Sequence, residues 1–282
     1  MIRLAEIEAH ISGMGELQNI VGAMRSLAGM RMQEAQRTLP GIRRYAESVA
    51  GGIADTLLLL GDPGTFPDND QGPVALLLYT AEHGFVGGFN ERLFEAAQEL
   101  LRPDDLLFVL GSRGAAFALE RGRPANWTHS MATRAAAVPK MIQTLSNELY
   151  RRIEQGEIAR VEVMHTRYRK AAAASIERIL LLPLDVTSLR AKQVRQPPLH
   201  NLNPVALHEK LMAEYVFALL AEAAAESIAS ENAARLAAME SAHDNVSRRL
   251  DRLCHDARQA RQSEITTEIL ELAAAAMALG GE

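Results

Sequence analysis

From Pro204 to Leu279 the chain runs without a further proline or glycine. Ala, Leu, Glu and Arg dominate this stretch, and all four favour helix. One uninterrupted helix of that length would be about 110 Å long at 1.5 Å per residue. A small domain is not that wide, so the helix must project from whatever body the chain forms. A projecting helix needs a partner for its apolar side. Leu236/Met239, His243/Val246, Leu250/Leu253 and Ala257/Ala260 fall on successive heptad a and d positions, which draws such a side.

The beginning of the chain supplies the partner. Leu4, Ile7, Ile11, Met14, Leu17, Val21, Met24 and Leu27 step by threes and fours, and Met30, Ala35, Leu39, Ile42, Ala46, Val49 and Ile53 continue the row. That spacing predicts a second long helix over 1–60, with a kink at Pro40, where a backbone donor is lost. The helix ends in LLLLGDPGTFPDNDQG, a loop by its Pro, Gly, Asp and Asn content.

Residues 73–185 change character. PVALLLYTA and DLLFVLGS are short apolar runs expected as buried strands, and RVEVMHTRYR and SIERILLLPLD are expected as a strand pair near the sheet edge. Helical stretches NERLFEAAQELL, SRGAAFALERG and RAAAVPKMIQTLSNELYRRIEQGE alternate with them. The expected fold is therefore α/β: a long antiparallel coiled coil of the N- and C-terminal helices (1–60 and 204–282), with an inserted Rossmann-like α/β body (73–185) and a linker at 186–203.

Composition closes off several functions. A net charge of −5 gives no sign of a nucleic-acid partner. One cysteine, Cys254, excludes an internal disulfide and fits a reducing compartment; it reads as a small apolar packer at a heptad d position. Glu6 and Glu8 stand where a signal peptide would be apolar. No apolar run approaches the ~20 residues of a membrane span. The histidines His83, His129, His165 and His243 have no partners at ligand spacing, so neither metal nor other cofactor is expected. His243 reads as a polar residue fixing the register of the helix pair.

The end of the chain is the anomaly. Past Leu272 come four alanines, Met277, Ala278 and Leu279, with no charge before the final residue. A helix that is apolar all round is buried, and no other segment is long enough to cover this one. Another protein must supply the socket.

The carboxy-terminal residues SENAARLAAMESAHDNV (230–246) and RQSEITTEILEL (261–272) closely resemble the last helix of the gamma subunit of F-type ATP synthases. Ile7 to Met24, HGFVGGFN (83–90) and LGSRGAAF (110–117) match further segments of that family in the same order. The resemblance implies a rotor without catalytic residues, whose coiled coil threads a ring of alpha and beta subunits. Its α/β body would join an epsilon subunit and the membrane c-ring, on the cytoplasmic face of a bacterial plasma membrane. Carried over position by position, the contacts to a beta subunit are Met24, Arg25, Arg261, Gln262, Thr266 and Glu268. Arg261 would pair with partner carboxylates, while Leu272, Ala276, Met277 and Leu279 would form an apolar bearing tip.

The chain also departs from the family. Glu8, His10, Asn19 and Gly22 stand where basic residues are usual, which suggests a shaft matched to unusual partner subunits. Val86 replaces the usual cysteine, and the cysteine-bearing insertion of the plastid type is missing, so thiol regulation of that kind is not expected. Two other readings remain beside the rotor. A free-standing coiled-coil scaffold or adaptor would have no need of the apolar end. A nucleotide-binding α/β enzyme would use HGFVGGFN to cradle phosphate, although that string fits neither glycine-rich phosphate fingerprint.

Overall fold

Asn203 starts the long C-terminal helix: its Oδ1 accepts the Val205 N–H at 2.9 Å, and its carbonyl accepts the first helical bond, from Leu207 N. Proline at the first helical position needs no donor there, so Asn203-Pro204 is a strong start signal. A computed structural model describes residues 4–60, 72–169, 174–185 and 199–279 of the chain, with side chains in the last helix described to Ala275. The expected linker falls mostly on 186–198, outside the described residues.

The elements in chain order are α1 (Leu4–Leu60), β1 (Val74–Tyr79), α2 (Phe89–Gln98), β2 (Leu106–Leu110), α3 (Ser112–Glu120), β3 (Trp127–His129), α4 (Val138–Glu154), β4 (Arg160–Arg167), β5 (Ser175–Leu182) and α5 (Pro204–Leu279). They form two compact units, Ala28–Arg235 and Met1–Leu27 with Leu236–Glu282, and both long helices run through each.

In the larger unit the sheet order is β3-β2-β1-β4-β5, parallel except for β5. Alternation along the strands sorts side chains to two faces. Ala75, Leu77, Tyr79, Phe108, Leu110, Val161 and Val163 pack with α4 and with Val216, Leu220 and Ile228 of α5. Leu76, Leu78, Leu107, Val109 and Met164 pack against α2 and α3. The amphipathic α4 turns Val138, Met141, Ile142, Leu145 and Leu149 inward, the i, i+3, i+4, i+7 spacing of a helix lying on a sheet.

Two glycines fix where α3 begins. Gly111 has φ +116, and a Cβ there would meet the Thr80 carbonyl at 2.6 Å. A Cβ on Gly114 would lie 1.8 Å from Thr80 Oγ1. The G-S-R-G string is thus set by close packing of α3 on the end of β1.

The structure bears out the strand pair expected near the sheet edge and corrects several other sequence expectations. β4 lies between β1 and the edge strand β5, with Val161 to Thr166 all buried. Its polar residues look solvent-facing in sequence because their partners are distant in sequence. Arg178 holds Glu162 with bonds of 2.7 and 2.8 Å, and His165 meets Glu226 at 3.4 Å. The three-residue β3 has no period to detect and was not expected. Leu17, Leu27 and Met30 are 42%, 41% and 59% exposed rather than buried in the seam. Cys254 is exposed, one position beyond the half-buried Leu253, so it packs nothing.

Candidate functional site

In the smaller unit the helix pair is held by a narrow seam. On α5, Met239 and Val246 are buried, while Leu236, His243, Leu250, Leu253, Ala257 and Ala260 are half-buried. On α1, Ile7 and Val21 are buried, with Leu4, Ile11 and Met14 half-buried. Polar rungs join the helices beside the seam: Arg25 to Glu240 at 3.2 Å, Gln18 to Ser247 at 2.8 Å, and Arg261 to Glu8 at 2.7 Å. Partner numbers rise on α5 as they fall on α1, so the helices run antiparallel. His243 sits on the seam with its side chain 28% exposed, and its Nδ1 is 4.0 Å from Asp244.

The residues expected to face partners divide into two groups. Arg25 and Arg261 are engaged within the chain by exposed ion pairs, and Glu8 is the unexpected partner of Arg261. An acid on α1 opposite a base on α5 could have been found only by knowing the register. Met24 is half-buried; Gln262, Thr266 and Glu268 are exposed, and Thr266 Oγ1 donates to its own helix at Gln262 O, 2.8 Å. Leu272 is 71% exposed. The side chains of Ala276, Met277 and Leu279 lie outside the described residues.

Sequence reasoning missed an apolar stripe. Ile265, Ile269 and Leu272 are 50%, 60% and 71% exposed, spaced i, i+4, i+7 along one side of α5. The signal was present in EITTEILEL as a helical period with no partner row on α1. From Gln262 to Ala275 every described side chain is exposed. An exposed apolar row of this length marks an interaction surface.

The larger unit carries a second, internal constellation. Arg235, 6% exposed, donates to the His83 carbonyl at 3.1 Å, the Gly84 carbonyl at 3.3 Å, Asn232 Oδ1 at 3.2 Å and Glu231 at 2.6 Å. It thereby pins the glycine-rich turn, in which Phe85 adopts φ 62 and stands 66% exposed. Burial pushes the Glu231 carboxyl up, against the opposing pull of Arg235. Burial also acts to raise Glu226, but His165, Arg167 and Arg43 outweigh it and hold that carboxyl below its ordinary value.

The turn does not read as a phosphate cradle. Asn90 Oδ1 accepts from Ala81 N, and Glu82 accepts from Ser112 and Met131. Glu91 lines the cleft beside Gly87 and Arg113. Among the described residues no three His, Cys, Asp or Glu side chains form a metal cluster, and no helix is long and apolar enough to cross a membrane.

Comparison with known proteins matches this architecture along the whole chain. The profile of the family described as ATP synthase matches residues 3–279. The ATP synthase gamma chain of Chlorobaculum tepidum is 27% identical over 99% of both chains. That of Moorella thermoacetica is 28% identical over 99% of this chain and 100% of its own. Among solved structures, a chain of the Euglena gracilis mitochondrial ATP synthase (OSCP/F1/c-ring, rotational state 3) shares the fold with a TM-score of 0.64 at 15% identity, covering 98% of this chain and 94% of that one. A chain of the Tetrahymena thermophila central stalk/c-ring gives 0.54 at 17% identity, covering 79% of this chain and 99% of that one. Antiparallel terminal helices around a mainly parallel sheet, matched over their full length, place the chain in the ATP synthase gamma-chain family, the central stalk of F-type ATP synthases.

Proposed function

We propose that this chain is a rotor shaft without catalytic residues of its own, coupling ion-driven rotation of a membrane c-ring to the conformational cycle of a catalytic alpha/beta ring. Its α/β body joins the c-ring and an epsilon subunit at the cytoplasmic face of a bacterial plasma membrane. The observation that carries this reading is the end of α5, where Ile265, Ile269 and Leu272 stand in water. A soluble chain keeps such a row only where a second protein covers it.

Coupling requires contacts that differ with angle, because a shaft that binds all states of the ring equally shifts none of them. Met24, Arg25, Arg261, Gln262, Thr266 and Glu268 are the residues proposed to make those contacts on a beta subunit. Arg25 and Arg261 meet it as ion-paired rungs, each already bonded across the helix pair, and so present their carboxylate partners as well as themselves. Leu272, Ala276, Met277 and Leu279 form the bearing, where uncharged side chains hold no preferred angle. The unusual Glu8 and His10 on α1 suit a dedicated set of partner subunits.

The test is reconstitution with alpha and beta subunits from the same organism. The chain is expected to copurify as one copy per ring, and the ring's ATP hydrolysis is expected to depend on it. A ring that assembles and turns over equally well without the chain would overturn the proposal.

A further inference from the structure

Beyond the last rung, the described residues of the helix pair include acids and no Lys or Arg. Arg261 is the last Lys or Arg in the sequence; on the α1 side Arg3 precedes the described residues, and none follows from Leu4 to Met24. Arg261 is itself bonded to Glu8 at 2.7 Å. Above it on α5 stand Glu264, Glu268 and Glu271, all exposed. They recur at i, i+4, i+7, the same spacing as Ile265, Ile269 and Leu272, one residue earlier and therefore about 100° around the helix. α5 thus presents two parallel stripes, one apolar and one acidic, and the acidic one covers a single side of the shaft. The acidic side continues into a groove of about 720 Å³ beside the start of α1, lined by Ile7, Leu253 and Ala260 with Asp256, Glu264 and Glu268 among its polar residues.

From this charge pattern we infer that the surface of the partner ring facing α5 at 264–272 carries Lys or Arg residues along one wall of an apolar collar. The inference rests on the rotor reading and names the chemistry of its partner. An apolar collar alone would cover Ile265, Ile269 and Leu272 but would bring three carboxylates to its edge unpaired, and burying or crowding unpaired charge is costly. An acidic collar would repel them. A basic wall satisfies both stripes. Because the acids lie on one side only, the attraction varies as the shaft turns, which gives the ring an angle to respond to. The uncharged residues from Ala273 to Gly281 leave that part of the tip free of such a preference.

The experiment uses the full chain and the ring of its own alpha and beta subunits, with dissociation constants measured across a salt series. Binding of the unaltered chain is expected to weaken as salt rises. The triple variant Glu264→Gln, Glu268→Gln, Glu271→Gln is expected to bind about tenfold more weakly at low salt, with most of the salt dependence gone. The corresponding triple change to Lys is expected to bind more weakly still. Glutamine is a good helix former, so helicity by circular dichroism should be unchanged. Equal or tighter binding of the Gln or Lys variants would overturn the basic wall while leaving the rotor intact. Failure of the unaltered chain to bind the ring at any salt would overturn the rotor reading, and the inference with it.

Discussion

α5 passes through two environments that look alike in composition. Between Val216 and Arg235 it is alanine-rich and no residue is exposed; from Gln262 to Ala275 it ends in alanines again and every residue is exposed. The first stretch is covered by the chain's own sheet and by α1. Buried polar groups in it find partners inside the fold: Ser227 reaches the Tyr79 carbonyl at 3.2 Å, and Arg235 holds Glu231 and the turn at His83–Gly84. Among the described residues, none covers the second stretch. Small apolar residues all round a helix therefore mean that burial is required, and the rest of the sequence decides whether this chain or another supplies it.

The contrast is sharpest where charge is concerned, and it can be broken there first. Removing Arg235 (Arg235→Ala) leaves the Glu231 carboxylate buried without its cation. Loss of one partner of a buried pair costs about 3–5 kcal/mol, measured by denaturant unfolding. The double change Arg235→Met with Glu231→Leu should recover much of that loss. A cost below about 1 kcal/mol for the single change would mean that this part of α5 is no more locked than its end.

A packing test comes next. Gly114→Ala would drive a methyl group into Thr80, 1.8 Å from its Oγ1, and overpacking of this kind costs about 1–3 kcal/mol. The same change at Gly13 or Gly15 on α1 meets nothing within 4 Å. It should stabilise the helix by about 0.5–1 kcal/mol, the difference in propensity between the two residues.

pH separates the regions more gently. His208 is buried beside Thr56, with Nδ1 and Oγ1 at 2.9 Å, and burial pulls its pKa below the ordinary 6.5. The unfolded chain therefore takes up the proton first, so stability is fully present above pH 6.5 and falls as the pH drops from there toward the folded value. Unfolding of the His208→Gln variant followed across this range should lack that component. The smallest effect is expected at the other end: the Glu8–Arg261 pair is exposed on both sides, and a double-mutant cycle should return a coupling of at most about 0.5 kcal/mol.

How much of this was legible in the sequence follows the same division. The helix seam could be read because its partners recur every three or four residues: Met239, Val246 and Leu253 are all buried or half-buried as their spacing requires. β1 and β2 could be read because they are apolar throughout. The β4–β5 pair near the sheet edge could be read from its alternation, but the burial of Glu162 and His165 could not, because Arg178 and Glu226 are brought beside them only by the fold. The rungs were invisible for the same reason, since a one-residue change of register would pair Arg261 with a different residue. At the candidate interface, Arg261, Gln262, Thr266 and Glu268 were reached through family resemblance, whereas Ile265 and Ile269 were open to direct reading from their period and were overlooked beside them. Leu17 and Leu27 were assigned to the seam because the row steps by threes and fours, yet both are exposed.

The central claim is that the end of α5 is covered by a partner ring. Thiol labelling tests it most directly, in a chain carrying Ile269→Cys and, because Cys254 is itself exposed, Cys254→Ser. The new cysteine should react freely in the isolated chain and be protected once alpha and beta subunits have assembled around it. Equal reactivity in a fully assembled, hydrolysing complex would contradict the account.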